Sequence, residues 1–301
     1  MAKRDGLTHK QHYVPQVYLR GFSADKNSVF FLNLTSYESS KCAVPVESVC
    51  FKRDLYEAKN EHGGYVFENH IEKALGNLER RFSDYREKLE RKAFDKENFK
   101  TKCFLSNEEK CFWIVYLSVQ IMRSPKVLSI AKNFCIESLQ GDVSICKAEN
   151  IALSYCLPFF TDLSVDSINA LSSFMNPMLN MSFNIGTIHG NEELFTSDNP
   201  IFIHANWPCE EYDKVIFPIT SKLCMFLYGG VYKKGRNKNV LLPIDEKMLN
   251  EINWSIAYNA DKMIFSANRL NKNQEKEIRR IHKLRLEDDK RILSDLSFGT
   301  E

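Results

Sequence analysis

Eight polar residues could handle a charged substrate: His12, Arg20, Glu72, Glu79, Gln120, Arg123, Asp198 and Asn199. His12 and Arg20 fall in the opening stretch "HKQHYVPQVYLRGF", His9 to Phe22, an unusually dense mixture of rings, charges and backbone punctuation for a terminus. A histidine there suits proton transfer or metal ligation, and an arginine suits an anion clamp. The structural alternative has Arg20 neutralising a carboxylate and His12 capping a backbone group.

In "FENHIEKALGNLE" the acids Glu68, Glu72 and Glu79 stand four and seven apart, which places them along one flank of a helix. Glu68 reads as part of a solvated face with His70, Lys73, Arg80 and Arg81. Glu72 and Glu79 could bind a hard cation such as magnesium or manganese, or divide acid and base duties. Gln120 and Arg123 continue the three-and-four steps of Trp113 and Tyr116, so they share a face with large aromatics. A polar group left unsatisfied there costs about 1 to 3 kcal/mol, and a charge costs more. Both must therefore be paired, either through an Arg–Glu bridge to the preceding helix or as a pocket wall that holds an anion. In "FTSDNPIF", Pro200 pushes Asn199 out of the α region. Asp198 and Asn199 then make a tight turn, or present a carboxylate and an amide to a pocket at a sheet edge.

The elements that must position these residues follow from periodicity. "SVFFLNL" and "AVPVESVCFKRDLYEA" read as short strands, and Phe67, Ile71, Leu75, Leu78, Phe82, Tyr85 and Leu89 mark a long amphipathic helix. Ser106 and Glu109 form a capping box ahead of a second helix that Pro125 ends or kinks. Helices are expected over Lys126–Gln140, Cys146–Cys156 and Ser164–Met175. Beyond Met178 the β-branched and aromatic texture predicts a sheet, interrupted by a helix capped by Asp245 and followed by the strand "KMIFSA" and a terminal helix. In the opening block, Pro15 fits the first position of a short helix and Gly21 the left-handed residue after it. A strand is the alternative reading of that block, with His12, Gln16 and Arg20 on one face. The expected class is α+β: a helical middle section packed on a mainly antiparallel C-terminal sheet, with a short N-terminal β element. We read residues 1–301 as one domain, with a subdivision into 1–177 and 178–301 as the alternative.

Composition narrows the function classes. Hydrophobic residues make up 44% of the 301, enough for a sizeable core, and the net charge of +2 supplies no global attraction to nucleic acid or anionic lipid. No stretch has the length and apolarity of a membrane span, and the start has no secretory pattern, so the expected location is cytoplasmic. The nine cysteines are scattered without C-x-x-C spacing, and neither a disulfide nor a structural zinc is assigned. The P-loop, dinucleotide, zincin and nucleophile-elbow signatures are missing. The loop Lys233–Asn239 is basic and could touch phosphates or be a solvated turn.

Taken together, "HYVPQVYLRGF", "IEKALGNLE", "QIMRSP" and "TSDNP" resemble the blocks of a bacterial family, domain of unknown function 4238. That resemblance implies no reaction. It places His12, Arg20, Glu72, Glu79, Gln120, Arg123 and Asp198 inside matching blocks, and these are the residues that the face argument singles out. The expectation is one shared polar pocket in a hydrolase acting on a phosphate-containing substrate, nuclease-like or nucleotide-directed, with a defence or toxin-like role. His12, Glu72, Glu79 and Asp198 would be catalytic, with the three acids as candidate ligands for a divalent metal, and Arg20, Gln120, Arg123 and Asn199 would bind substrate. The alternative is a non-enzymatic binding or sensor module whose polar cluster is structural.

Overall fold

Short strands precede the first long helix. β1 (Lys10–His12) leads through Pro15 into α1 (Gln16–Leu19) and a 3-10 turn (Arg20–Phe22), and β2 (Ser28–Asn33), β3 (Val44–Pro45) and β4 (Phe51–Arg53) follow. The helical middle comprises α2 (His70–Phe94), α3 (Asn107–Met122), α4 (Pro125–Ser138), α5 (Ile145–Cys156) and α6 (Ala170–Leu179). Then come β5 (Ser182–Thr187), β6 (Thr196–Ser197), β7 (Phe202–Ala205), β8 (Tyr212–Thr220), β9 (Leu223–Tyr228) and β10 (Leu241–Pro243). The chain closes with α7 (Glu246–Asn259), β11 (Met263–Ser266) and α8 (Lys272–Ser297), an α+β fold. This computed structural model describes residues 7–36, 38–57, 59–66, 68–95, 104–138, 144–157, 170–205, 212–230 and 239–297. Phe67, Cys103, Cys209, most of the basic loop Lys233–Asn239 and the first half of the helix expected over Ser164–Met175 lie outside the described residues.

The chain divides into two units, each assembled from three segments. The first takes Met1–Val17, Val49–Leu89 and Leu105–Met181. Here β1 pairs antiparallel with β4, His12 opposite Phe51. The α2 stripe buries Ile71, Leu75, Phe82 and Leu89. Phe82 stacks on Tyr116 with ring centres 4.4 Å apart, and Tyr85 stacks on Phe112 at 4.0 Å. Ser106 caps α3 through the reciprocal bonds the sequence predicts, its hydroxyl accepting from the Glu109 N–H and its own N–H bonding the Glu109 carboxylate. α3 stops at Met122, and Pro125 opens α4, a position where its missing N–H costs nothing.

The second unit takes Tyr18–Ser48, Glu90–Phe104 and Ser182–Glu301. It contains a five-stranded sheet in the order β10-β5-β9-β8-β7 and a four-stranded sheet in the order β3-β2-β11-β6. Pairing is antiparallel except between β10 and β5. β5, β8 and β9 are buried along their whole length, which fits the continuous apolar run of β9 and the apolar centre of β8, while β5 buries Ser182, Asn184 and Thr187 as well. α7, capped by the Asp245 side chain, packs against α8.

Two sequence expectations change. "AVPVESVCFKRDLYEA" is not one strand but β3, a 3-10 turn and β4, because Cys50 and Asp54 take φ of 54° and 52° and end the extended backbone on either side of β4. Gly21 is not left-handed either: it lies inside the 3-10 turn, and its need is steric. A Cβ there would sit 2.9 Å from the Ile219 carbonyl oxygen and 3.1 Å from Thr220 Cγ2. The Gly21 carbonyl accepts the Ser221 N–H at 2.9 Å, so the absent side chain lets two backbones meet.

Candidate functional site

The opening block runs from the end of a three-residue strand to the start of a one-turn helix, and backbone carbonyls in such a stretch need partners from elsewhere. Three long side chains of the first unit supply them. Arg123 Nη2 donates to the His12 carbonyl at 2.5 Å, Gln120 Nε2 to the Tyr13 carbonyl at 2.8 Å, and Arg86 Nη1 to the Val17 carbonyl at 2.6 Å. Arg123 follows directly after α3, with its backbone N–H bonded to Val119. Its Nη1 donates to Glu79 Oε1 at 2.8 Å and its Nε to the Tyr56 hydroxyl at 3.3 Å. That hydroxyl donates back to the Arg123 carbonyl at 3.0 Å. The guanidinium is 2% exposed and every one of its nitrogens has a protein acceptor.

Behind Tyr56 the network continues. Gln11 is fully buried; its Oε1 accepts the Tyr56 N–H at 2.7 Å and its Nε2 donates to Glu57 Oε1 at 2.7 Å. Glu57 also accepts the Asn69 N–H, and Asn69 Oδ1 accepts the Thr8 N–H at 2.7 Å. The chain of contacts therefore ties the opening block, the β4 turn, α2 and the end of α3 into one buried node.

Electrostatics separate the two acids of α2. Glu79 carries the ion pair with Arg123. Glu72, two turns earlier, has a buried Oε2 with no hydrogen-bond partner among the described residues. Burial pushes its carboxyl up to about 7 against the pull of Arg123, and the charges of Glu79 and Glu57 push the same way. Burial also raises the Tyr56 hydroxyl to about 12. For Arg123 burial opposes the charge, but Tyr56 and Glu79 outweigh it and hold the guanidinium protonated. Glu72 is thus a group of this node able to give or take a proton near neutrality. The His12 ring is half-buried; it tilts against Phe51 at 5.8 Å between ring centres and lies 3.5 Å from the Gln16 amide.

The remaining candidates belong to the second unit. Arg20 is exposed and forms no ion pair among the described residues. Asp198 is buried, and its carboxylate accepts the backbone N–H groups of Asp261 and Lys262, each at 2.9 Å. Burial pushes its carboxyl up to about 7, helped by the Asp261 charge and opposed by those N–H bonds. Asn199 Nδ2 donates to the Asn259 carbonyl at 3.1 Å, and Asn259 Nδ2 returns a bond to the Asn199 carbonyl at 2.9 Å. Arg285 of α8 joins this second node through the Asn259 and Ala260 carbonyls and Asp261. In "TSDNP", Thr196 and Ser197 form β6, and the turn that follows is clasped to the turn after α7.

The sequence predicts one pocket of His12, Arg20, Glu72, Glu79, Gln120, Arg123 and Asp198; the first node holds Glu72, Glu79, Gln120 and Arg123 with the backbone carbonyl of His12, and it adds Gln11, Tyr56, Glu57 and Arg86, which sequence reasoning missed. Arg86 was within reach, since it continues the seven-residue spacing of Glu72 and Glu79 on α2. Among the described residues no group of three or more His, Cys, Asp or Glu side chains is arranged to hold a metal ion. The neighbour of Glu79 is a guanidinium rather than a further acid.

No curated protein and no solved structure matches the chain. A family profile described as "Protein of unknown function (DUF4238)" matches residues 10–149 and 163–269, which include both polar nodes apart from Thr8 and Arg285. With that match spanning most of its length, the chain belongs to the DUF4238 family.

Proposed function

We propose that the chain is a cytoplasmic binding or sensor module in which the Arg123 node is an internal scaffold. One observation carries this reading: Nε, Nη1 and Nη2 of Arg123 are all spent on Tyr56, Glu79 and the His12 carbonyl, so a phosphate group could be clamped only by displacing a protein acceptor. Gln120 and Arg86 likewise donate to backbone carbonyls of the opening block. Among the described residues no helix is long and apolar enough to cross a membrane. The test is to replace Arg123 with Lys and follow thermal unfolding at pH 7. A scaffold predicts a clear fall in melting temperature with no ligand present; an unchanged melt removes the reading.

A second reading, a hydrolase of phosphate-containing substrates such as nucleotides or nucleic acid, draws support from Glu72. A buried carboxyl near 7 with an unpartnered oxygen has the properties of a general acid or base. A defence or toxin-like role would follow from that chemistry. The assay is hydrolysis of nucleotide and oligonucleotide substrates, with and without magnesium or manganese, by wild type and Glu72→Gln. Turnover lost in the variant supports the hydrolase, and turnover undiminished in it removes Glu72 from the reaction.

A further inference from the structure

The first unit holds a cleft of about 450 Å³, well within the range of small-ligand sites. One wall is β4 and the turn after it, and the other is formed by α4 and α5. The floor is aliphatic, made by Leu55, Pro125, Leu128 and Leu153, all but Pro125 continuous with the apolar core of this unit. Four basic side chains, Lys52, Arg53, Lys59 and Lys132, stand among the lining residues. Pro125 is the first residue of α4, so the positive end of that helix also borders the cleft.

Three acids share the lining, and their partners within the protein decide the balance. Asp54 accepts from His9 Nδ1 at 2.6 Å and from the Tyr65 hydroxyl at 3.0 Å, with Arg53 Nε at 3.6 Å. Glu57 is buried and held by Gln11 and the Asn69 N–H. Glu149 is paired with Lys132. Lys52 and Lys59 have no carboxylate partner among the described residues; Lys59 Nζ lies 5.6 Å from the centre of the Tyr65 ring. The charge left for a ligand is positive, above an aliphatic floor.

We infer that this cleft binds a small organic phosphate, its phosphoryl group at Lys52 and Lys59 and a compact apolar or ring-shaped body on the leucine floor. The inference deepens the binding-module reading and rests on it. It departs from the Arg123 node in that these cations are available, whereas Arg123 is consumed.

The experiment titrates the full chain with adenosine monophosphate, adenosine and inorganic phosphate by calorimetry, at low and high salt. Wild type is compared with a Lys52→Glu/Lys59→Glu double variant and with a Lys247→Glu/Lys276→Glu double variant, on the exposed surfaces of α7 and α8, as a charge-matched control. The expected result is that the monophosphate binds wild type and the control alike, more tightly than adenosine or inorganic phosphate, and more weakly as salt rises. Affinity should drop by about tenfold or more in the double variant, as expected when charge-assisted hydrogen bonds are lost. No binding of the monophosphate to wild type, equal binding by the double variant, or inorganic phosphate binding as tightly as the monophosphate would each overturn the proposal. The melt of Arg123→Lys without ligand tests the scaffold independently, so the two ideas fail separately.

Discussion

Arg123 and Glu79 meet through Nη1 and Oε1 at 2.8 Å, joining the end of α3 to the middle of α2, with the arginine sealed from solvent and the glutamate about a quarter exposed. The same guanidinium holds the His12 carbonyl and the Tyr56 hydroxyl, so the pair is the centre of a three-way lock rather than an isolated bridge. Removing a buried partner strands the other charge. Arg123→Ala should therefore cost about 3–5 kcal/mol, and Arg123→Lys about 1–3 kcal/mol because one ammonium cannot reproduce the fork. Denaturant unfolding at pH 7 checks both, and Glu79→Gln should couple to Arg123→Lys in a double-mutant cycle.

Glu72 predicts the shape of the pH–stability curve. Its folded value of about 7 lies above the ordinary 4.5, so the folded chain binds the proton more tightly than the unfolded one. The stability this contributes is complete below 4.5 and lost as pH rises through 7. Glu72→Gln should leave stability unchanged at pH 4 and raise it by about 1–2 kcal/mol at pH 8, with the gain appearing across that window. Equal curves for the two proteins would contradict the buried environment of Oε2.

Asp198 titrates in the same direction, from 3.8 towards about 7, and so contributes to the remaining pH dependence in Glu72→Gln. Its structural task is separable from its charge. Asp198→Ala strands the Asp261 and Lys262 N–H groups and should cost about 2–4 kcal/mol. Hydrogen exchange of those two amides should accelerate more than that of the α3 amides.

Gly21 offers a steric test. A methyl group 2.9 Å from the Ile219 carbonyl oxygen forces one backbone away from the other, and Gly21→Ala should destabilise by about 1–3 kcal/mol. A neutral substitution would mean that the 3-10 turn yields without cost.

Much of the fold was legible because its determinants are local. The α2 stripe, the Ser106–Glu109 box, the Asp245 cap and Pro125 at the head of α4 each depend on residues within a few positions of one another. The bridge from Arg123 to the preceding helix was one of two readings that the aromatic face allowed. What stayed hidden depends on distant pairing. Gln11 looks like any polar residue in a short strand until β1 meets β4 and turns it inward, and Tyr56 looks like core until the Arg123 fork reaches its hydroxyl. The division of polar residues between the two nodes is a property of topology, which no helix-face argument contains.

Strand pairing also sets an order of events at the ribosome. The segments of the first unit are all synthesised once Met181 has emerged, and β1 finds β4 early. β2 has no such fortune: its Asn33 pairs with Met263, 230 residues further along (263 − 33), so this apolar ribbon must wait, one edge open, until that segment has been made. A chain interrupted before β11 would carry that bare edge permanently, making nascent or truncated forms a natural target for chaperone capture and for self-association.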